Sequence, residues 1–156
     1  MTAPHERLTR RWAEQGIRLA PGAPLERIER VEHELGLNMP ADLKEYFLHV
    51  DGSWGHVEID DPLGFSFWPL AQLKTVEAIV EEHRLEGQLH VEGYVVFADY
   101  LQWCWAYAIC LDPANADHGQ IVHVGTLRPK TVARDFASFV DCYLSDCQDL
   151  YQVHTV

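Results

Sequence analysis

Nine histidines and four cysteines are the residues of this chain with the widest chemical repertoire. His118 and His123 stand five apart, and His49 and His56 flank Asp51-Gly52. No H-E-x-x-H occurs, and no Cys/His set has the spacing of a structural zinc site. The histidines read as scattered surface or packing residues, and no metal is expected. Cys104 and Cys110 lie in an apolar run, whereas Cys142 and Cys147 lie in a helical pattern. The N-terminus has charges but no apolar segment behind them, so no secretion signal is read. All four cysteines are therefore expected as reduced, mostly buried thiols. A thiol nucleophile needs a histidine beside it. Cys110 and His123 could meet across neighbouring strands, but Cys110 alternates with alanines and reads as a small packing residue.

Asp60-Asp61 and Glu81-Glu82 are paired carboxylates only in sequence. Adjacent side chains on a strand or helix point apart, so adjacency builds no general acid/base couple. Gly52-Ser53-Trp54-Gly55 has two glycines but no following Lys-Ser/Thr, and it cradles no phosphate. No catalytic set and no cofactor site is expected. That glycine-bracketed loop has a different use. Trp54 sits among Asp51, Glu58, Asp60 and Asp61. An aromatic inside an acidic rim has the composition of a protein-binding patch, set against the plainer reading that Trp54 tucks into the core.

Charge supports a protein partner. The net charge is −12. Residues 1–30 carry six Arg against four Glu, residues 31–127 carry three basic against sixteen acidic residues, and residues 128–156 three against four. An acidic body of this kind repels phosphate backbones, which excludes direct nucleic-acid binding. It attracts a basic partner and speeds the encounter. No run of about 18 apolar residues exists to span a membrane, and the expected compartment is the cytoplasm.

The elements that must position these residues follow from periodicity. A first helix is read from about His5 to Gln15, with Leu8 and Trp12 as its contact. Leu25, Ile28, Val31 and Leu35 then mark the apolar stripe of a second helix, entered at Pro24 and stopped by Gly36. Pro40 opens a third, with Leu43, Tyr46, Phe47 and Val50 buried and Gly52 at its end. Trp54 to Ile59 and Phe65 to Trp68 have strand character. Pro69 to Leu85 reads as one helix with Leu70, Leu73, Val76 and Val80 inside. Residues 94–98 and 101–111 are strands. In the second, Leu101, Trp103, Trp105, Tyr107, Ile109 and Leu111 alternate with small residues. Residues 121–125 form another strand, and a last helix runs from Thr131 or Ala133 to Leu150. Strands and helices come in runs, which predicts one α+β domain over 1–156. Its sheet is expected to be twisted, antiparallel or mixed, with four to six strands flanked by helices.

Three landmarks in this order resemble the SUKH superfamily, which holds fungal cell-wall assembly regulators and many bacterial toxin-immunity proteins. The first is Val31-Glu32-His33-Glu34-Leu35-Gly36, then Met39-Pro40-Ala41-Asp42-Leu43-Lys44-Glu45-Tyr46-Phe47, then Asp51-Gly52. The second is Phe67-Trp68-Pro69-Leu70. The third is Phe97-Ala98-Asp99-Tyr100 before the Trp103–Asp112 stretch. Met39 stands where the family commonly has Leu, and Asp51 where Asn is common. The resemblance spans roughly residues 25–145. It implies a sheet flanked by helices, no catalytic constellation, and in bacterial members the binding and neutralisation of a polymorphic toxin, often a nuclease or deaminase. The acidic body suits the basic substrate surface of a nuclease. With the third landmark, Asp99 and Tyr100 join Asp51, Trp54, Glu58, Asp60 and Asp61 as candidate partner-contacting residues. The alternatives are a regulatory scaffold with a non-toxin partner, as in the fungal branch, and a small hydrolase using Cys110 or a His/Asp set.

Overall fold

A computed structural model describes residues 2–53, 64–83, 91–101, 104–125 and 129–151. Three helices come first: α1 (Pro4–Glu14), α2 (Leu25–Leu35) and α3 (Ala41–His49). The proline entries act as read. Pro24 and Pro40 are the extended residues directly before α2 and α3, and Gly36 ends α2 in the left-handed conformation at φ 67°. The α2 stripe is shifted from its expected face. Leu25 is 48% exposed, whereas Ile28 and Glu32 are buried. Glu32 goes inside because it has partners there. One carboxylate oxygen accepts from Met39 N at 2.7 Å and the other pairs with Lys44 Nζ at 3.3 Å. A charge buried with a backbone donor and an ammonium is tolerated where a lone one is not.

Six antiparallel strands form the sheet among the described residues: β1 (Phe65–Phe67), β2 (Lys74–Thr75), β3 (Tyr94–Tyr100), β4 (Trp105–Cys110), β5 (Ile121–Val124) and β6 (Lys130–Ala133). The order is β1-β3-β4-β5-β6, and β2 also pairs β3. The remaining helices are α4 (Val76–His83) and α5 (Phe136–Ser145). This is an α+β fold around one hydrophobic core. No described helix is long and apolar enough to cross a membrane.

The alternation read in the fourth strand fixes the layers. Tyr107 pairs with His123 and Ile109 with Ile121, and these bulky residues share one face of the sheet. Ala106, Ala108 and Cys110 face the other way. A bulge in β3 between Val96 and Ala98 lets Phe97 join the aromatic side. There Phe139 of α5 meets Phe97 at 5.2 Å, Tyr107 at 5.3 Å and Phe67 at 6.0 Å between ring centroids. Trp12 of α1 reaches the same cluster through Phe67 at 5.0 Å, edge to face.

Four expectations are corrected. Residues 69–85 are not one helix: a 3₁₀ turn (Leu70–Gln72) and β2 precede α4. Lys74 and Thr75 pair with Val96 and Val95, so the sheet edge claims residues whose apolar spacing alone suits a helix. Residues 101–111 are not strand throughout. Leu101 takes φ 48° and the strand begins at Trp105. The last helix does not begin at 131 or 133. Lys130–Ala133 is β6, and α5 starts after Asp135, whose side chain accepts from Ser138 N at 2.7 Å as an N-cap.

The fourth concerns the cysteines. Cys142 and Cys147 are joined in a disulfide, and Cys104 is exposed; only Cys110 is a buried free thiol. Five residues apart, two helical side chains do not face each other. Here the helix ends first. Asp146 turns left-handed at φ 53°, Cys147 N donates to Cys142 O at 3.0 Å, and the two Cα atoms come within 5.0 Å.

Phe139 touches aromatic rings from three strands and is fully buried, so Phe139→Ala should cost about 3–5 kcal/mol. Urea denaturation followed by tryptophan fluorescence would read this as a lower midpoint. A loss under about 1 kcal/mol would mean the cluster collapses onto the gap.

Candidate partner-binding surface

The exit from α3 is a knot of buried polar groups. Asp51 is 8% exposed, and its carboxylate accepts from Leu70 N at 2.6 Å, with Arg27 3.8 Å away. Gly52 follows at φ 85°. A Cβ there would stand 2.6 Å from Phe67 O, so both conformation and space select glycine. Ser53 then closes a two-way contact with β1: its N donates to Phe67 O at 3.2 Å, and its hydroxyl accepts from Phe67 N at 3.0 Å. Tyr46 packs behind this knot. Burial first, and the Asp51 carboxylate next, push its phenol well above its ordinary pKa.

Opposite lies the tip of the β3–β4 hairpin. Asp99 is 6% exposed and accepts from Trp68 Nε1 at 2.7 Å. Trp68 N in turn donates to Phe97 O at 2.8 Å. Tyr100 is half-buried and stacks on Trp105 with centroids 4.5 Å apart and planes 20° off parallel. Leu101 protrudes beside them, and its N donates to Gly64 O at 2.8 Å. Ser53 and Gly64, the described residues on either side of 54–63, are thus both tied to this region.

The candidate residues sort accordingly. Asp51 and Asp99 are brought to the same region but face inward and are engaged by internal donors. Tyr100 sits at the rim. Trp54, Glu58, Asp60 and Asp61 lie outside the described residues, as does the strand read over 54–59. The sequence puts Leu101 and Trp105 on one strand face; that Tyr100 stacks on Trp105 beside an exposed Leu101 depends on the left-handed turn at Leu101, which alternation does not display.

The thiol version of the alternative chemistry finds no Cys110–His123 pair. Because Tyr107 pairs with His123, Cys110 three residues further along β4 faces the opposite side of the sheet. Burial also pushes the Cys110 thiol up, away from the thiolate a nucleophile needs.

A match to a family model completes the picture. The SMI1 / KNR4 family (SUKH-1) matches residues 22–142. The chain belongs to that family. No curated protein matches it. Within this SUKH-1 chain the three landmarks read from sequence are bonded to one another. Glu32 holds Met39 inside the first, Asp51 joins the first to Leu70 of the second, and Trp68 of the second holds Asp99 of the third. Helix α1 precedes the matched residues.

One histidine of the SUKH-1 sheet generates a pH dependence. His123 is fully buried between Trp105 and Tyr107, and neither ring nitrogen has a hydrogen-bond partner among the described residues. Burial first, and the Lys130 ammonium next, lower its pKa from 6.5 to about 4. The unfolded chain thus takes up this proton at higher pH than the folded one. Stability from this group is complete above pH 6.5 and falls as pH drops from there toward 4. The loss reaches about 3 kcal/mol. Urea midpoints from pH 7.5 to 4.5 should therefore fall less steeply for His123→Leu than for the native chain. Equal slopes would show that His123 carries none of the acid sensitivity.

Proposed function

We propose that this SUKH-1 protein is a non-enzymatic immunity protein that binds one polymorphic toxin domain and neutralises it in the cytoplasm. The observation that carries the proposal is membership of the family over 22–142. The superfamily's bacterial role, as the resemblance implies it, is toxin neutralisation. The charge distribution supports the same reading. The sixteen acidic residues of 31–127 against three basic ones suit a toxin whose own surface is basic, as a nuclease's is. A toxin active site occupied by such a surface is closed to nucleic acid without any chemistry by the inhibitor.

For the contact region the proposal takes the hairpin tip with the segment that adjoins it. Leu101 is one of two large apolar side chains substantially exposed among the described residues, and it lies beside the stacked Tyr100–Trp105 pair. Aromatic anchors rimmed by charge are the composition of binding hot spots. The chain carrying Trp54, Glu58, Asp60 and Asp61 joins this region at Ser53 and Gly64. Asp51 and Asp99 then act as positioning groups beneath the contact.

Co-expression with the toxin domain encoded beside this protein tests the function. Restored growth and a stable complex are the expected results. Failure of both, with no complex even at low salt, rejects it. Within that complex, Leu101→Asp is expected to weaken binding by roughly tenfold. Aspartate tolerates the φ of 48° at this position at least as well as leucine, so the fold is kept. Association should also slow steeply as salt rises from about 20 to about 200 mM if charge steers the encounter. A flat salt dependence rejects steering.

A further inference from the structure

His5, near the start of α1, stacks on His49 at the end of α3, with centroids 4.0 Å apart and planes 13° off parallel. Glu45 lies one helical turn before His49 on the same face of α3. One nitrogen from each ring and one carboxylate oxygen of Glu45 all lie within 4.8 Å of one another. We propose that His5, Glu45 and His49 form a binding site for a divalent transition-metal cation of the zinc class, which clips α1 onto α3.

The donor set selects the cation. Two imidazoles and a carboxylate suit borderline ions such as Zn²⁺, Co²⁺ and Ni²⁺, whereas Mg²⁺ and Ca²⁺ prefer all-oxygen shells. Three protein ligands leave the fourth tetrahedral position to water. The spacing is within reach. Ligand atoms about 2.0–2.1 Å from a tetrahedral zinc stand roughly 3.3 Å apart, so the trio must draw in by about an ångström or more. The parallel rings must also open so that their lone pairs converge. Both adjustments fall on side chains free to make them: Glu45 is 54% and His49 49% exposed. His5 is 8% exposed and held by the packing of α1, so it serves as the fixed ligand.

A second observation points the same way. The His5 ring is nine-tenths buried, and one of its nitrogens lies within 4.8 Å of the donor atoms of the other two ligands. His49 Nδ1 lies 2.8 Å from Glu45 O. A proton donated there sets the tautomer with Nε2 open to a metal, the outer-sphere arrangement common to ligating histidines. The 3.6 Å contact between His49 Nδ1 and Glu45 Oε1 would give way to coordination.

The site joins an element outside the family-matched residues to one inside them. Metal binding would therefore stabilise the docking of α1, which packs on α3 and α5. It is independent of the immunity reading, since it concerns the chain alone.

The test uses the full chain stripped with a chelator, carrying Cys104→Ser so that the exposed thiol cannot compete. Zinc titration by calorimetry should show one saturable site, with a higher Tm when zinc is present. Removing an outer-sphere partner alone costs roughly tenfold or more in affinity, so Glu45→Gln and His49→Gln should each cost at least that. Both positions are half exposed, and the variants should fold as the parent does. With Co²⁺ as the probe, weak visible bands without a near-ultraviolet thiolate band would mark nitrogen and oxygen ligation. No saturable zinc binding up to about 1 mM, or binding unchanged in both variants, would overturn the proposal.

Discussion

A carboxylate taken out of water needs donors, and Asp51 sets the chain's course by finding one in the backbone of Leu70. That single bond joins the end of a helix to a turn 19 residues later in sequence. It constrains the described residues beside it. Gly52 must turn left-handed to bring the chain over Phe67, Ser53 must pair with β1, and Trp68 is delivered to Asp99 on β3. Three buried polar contacts thus lock the helical layer to the edge of the sheet. Removing one partner from any of them leaves an unsatisfied group costing about 1–3 kcal/mol. Such contacts add little net stability, but they fix one arrangement among many that an apolar core alone would accept.

The aromatic core fills the layer that this clasp defines. Its shape depends on two asymmetries of β4. Large residues on one face give α5 a surface to pack on, and alanines on the other leave room for close approach. The bulge in β3 adds Phe97 to the aromatic face without spending a strand position on it. His123 is the one imidazole in this face, and its neutrality follows from its neighbours rather than from any bond. The core is therefore tuned to neutral pH by packing.

Much of this was legible. Proline entries, the glycine stop of α2 and the alternation of β4 are local signals, and local chemistry decides them. The failures have two causes: partners distant in sequence, and local conformations that apolar spacing does not display. The 69–85 stretch has helical spacing throughout, yet Asp51 and β3 take its first seven residues. Thr131 to Ala133 was absorbed into a helix that cannot start before its cap at Asp135. The Cys142–Cys147 bridge depends on a left-handed residue at Asp146, which no pattern of spacing displays. The candidate site suffered in the same way. Asp51 and Asp99 read as surface acids because sequence shows charge and not the donors waiting for it.

That misreading carries a lesson about what the family motifs encode. The landmarks most useful for recognition, Asp51-Gly52, Trp68 with Leu70, and Asp99, are bonded to each other in the interior. Residues committed to the interior build the clasp, and they cannot also discriminate among partners. On the proposed partner-binding reading, discrimination falls to the side chains at the rim, Tyr100, Leu101 and Trp105. A scaffold of this kind separates the two demands physically. Each contact of the polar knot leaves a buried group unsatisfied when one partner is lost. The rim at Tyr100, Leu101 and Trp105 takes no part in the polar contacts of the clasp. On that reading, specificity is set at the rim and the fold by the clasp beneath it.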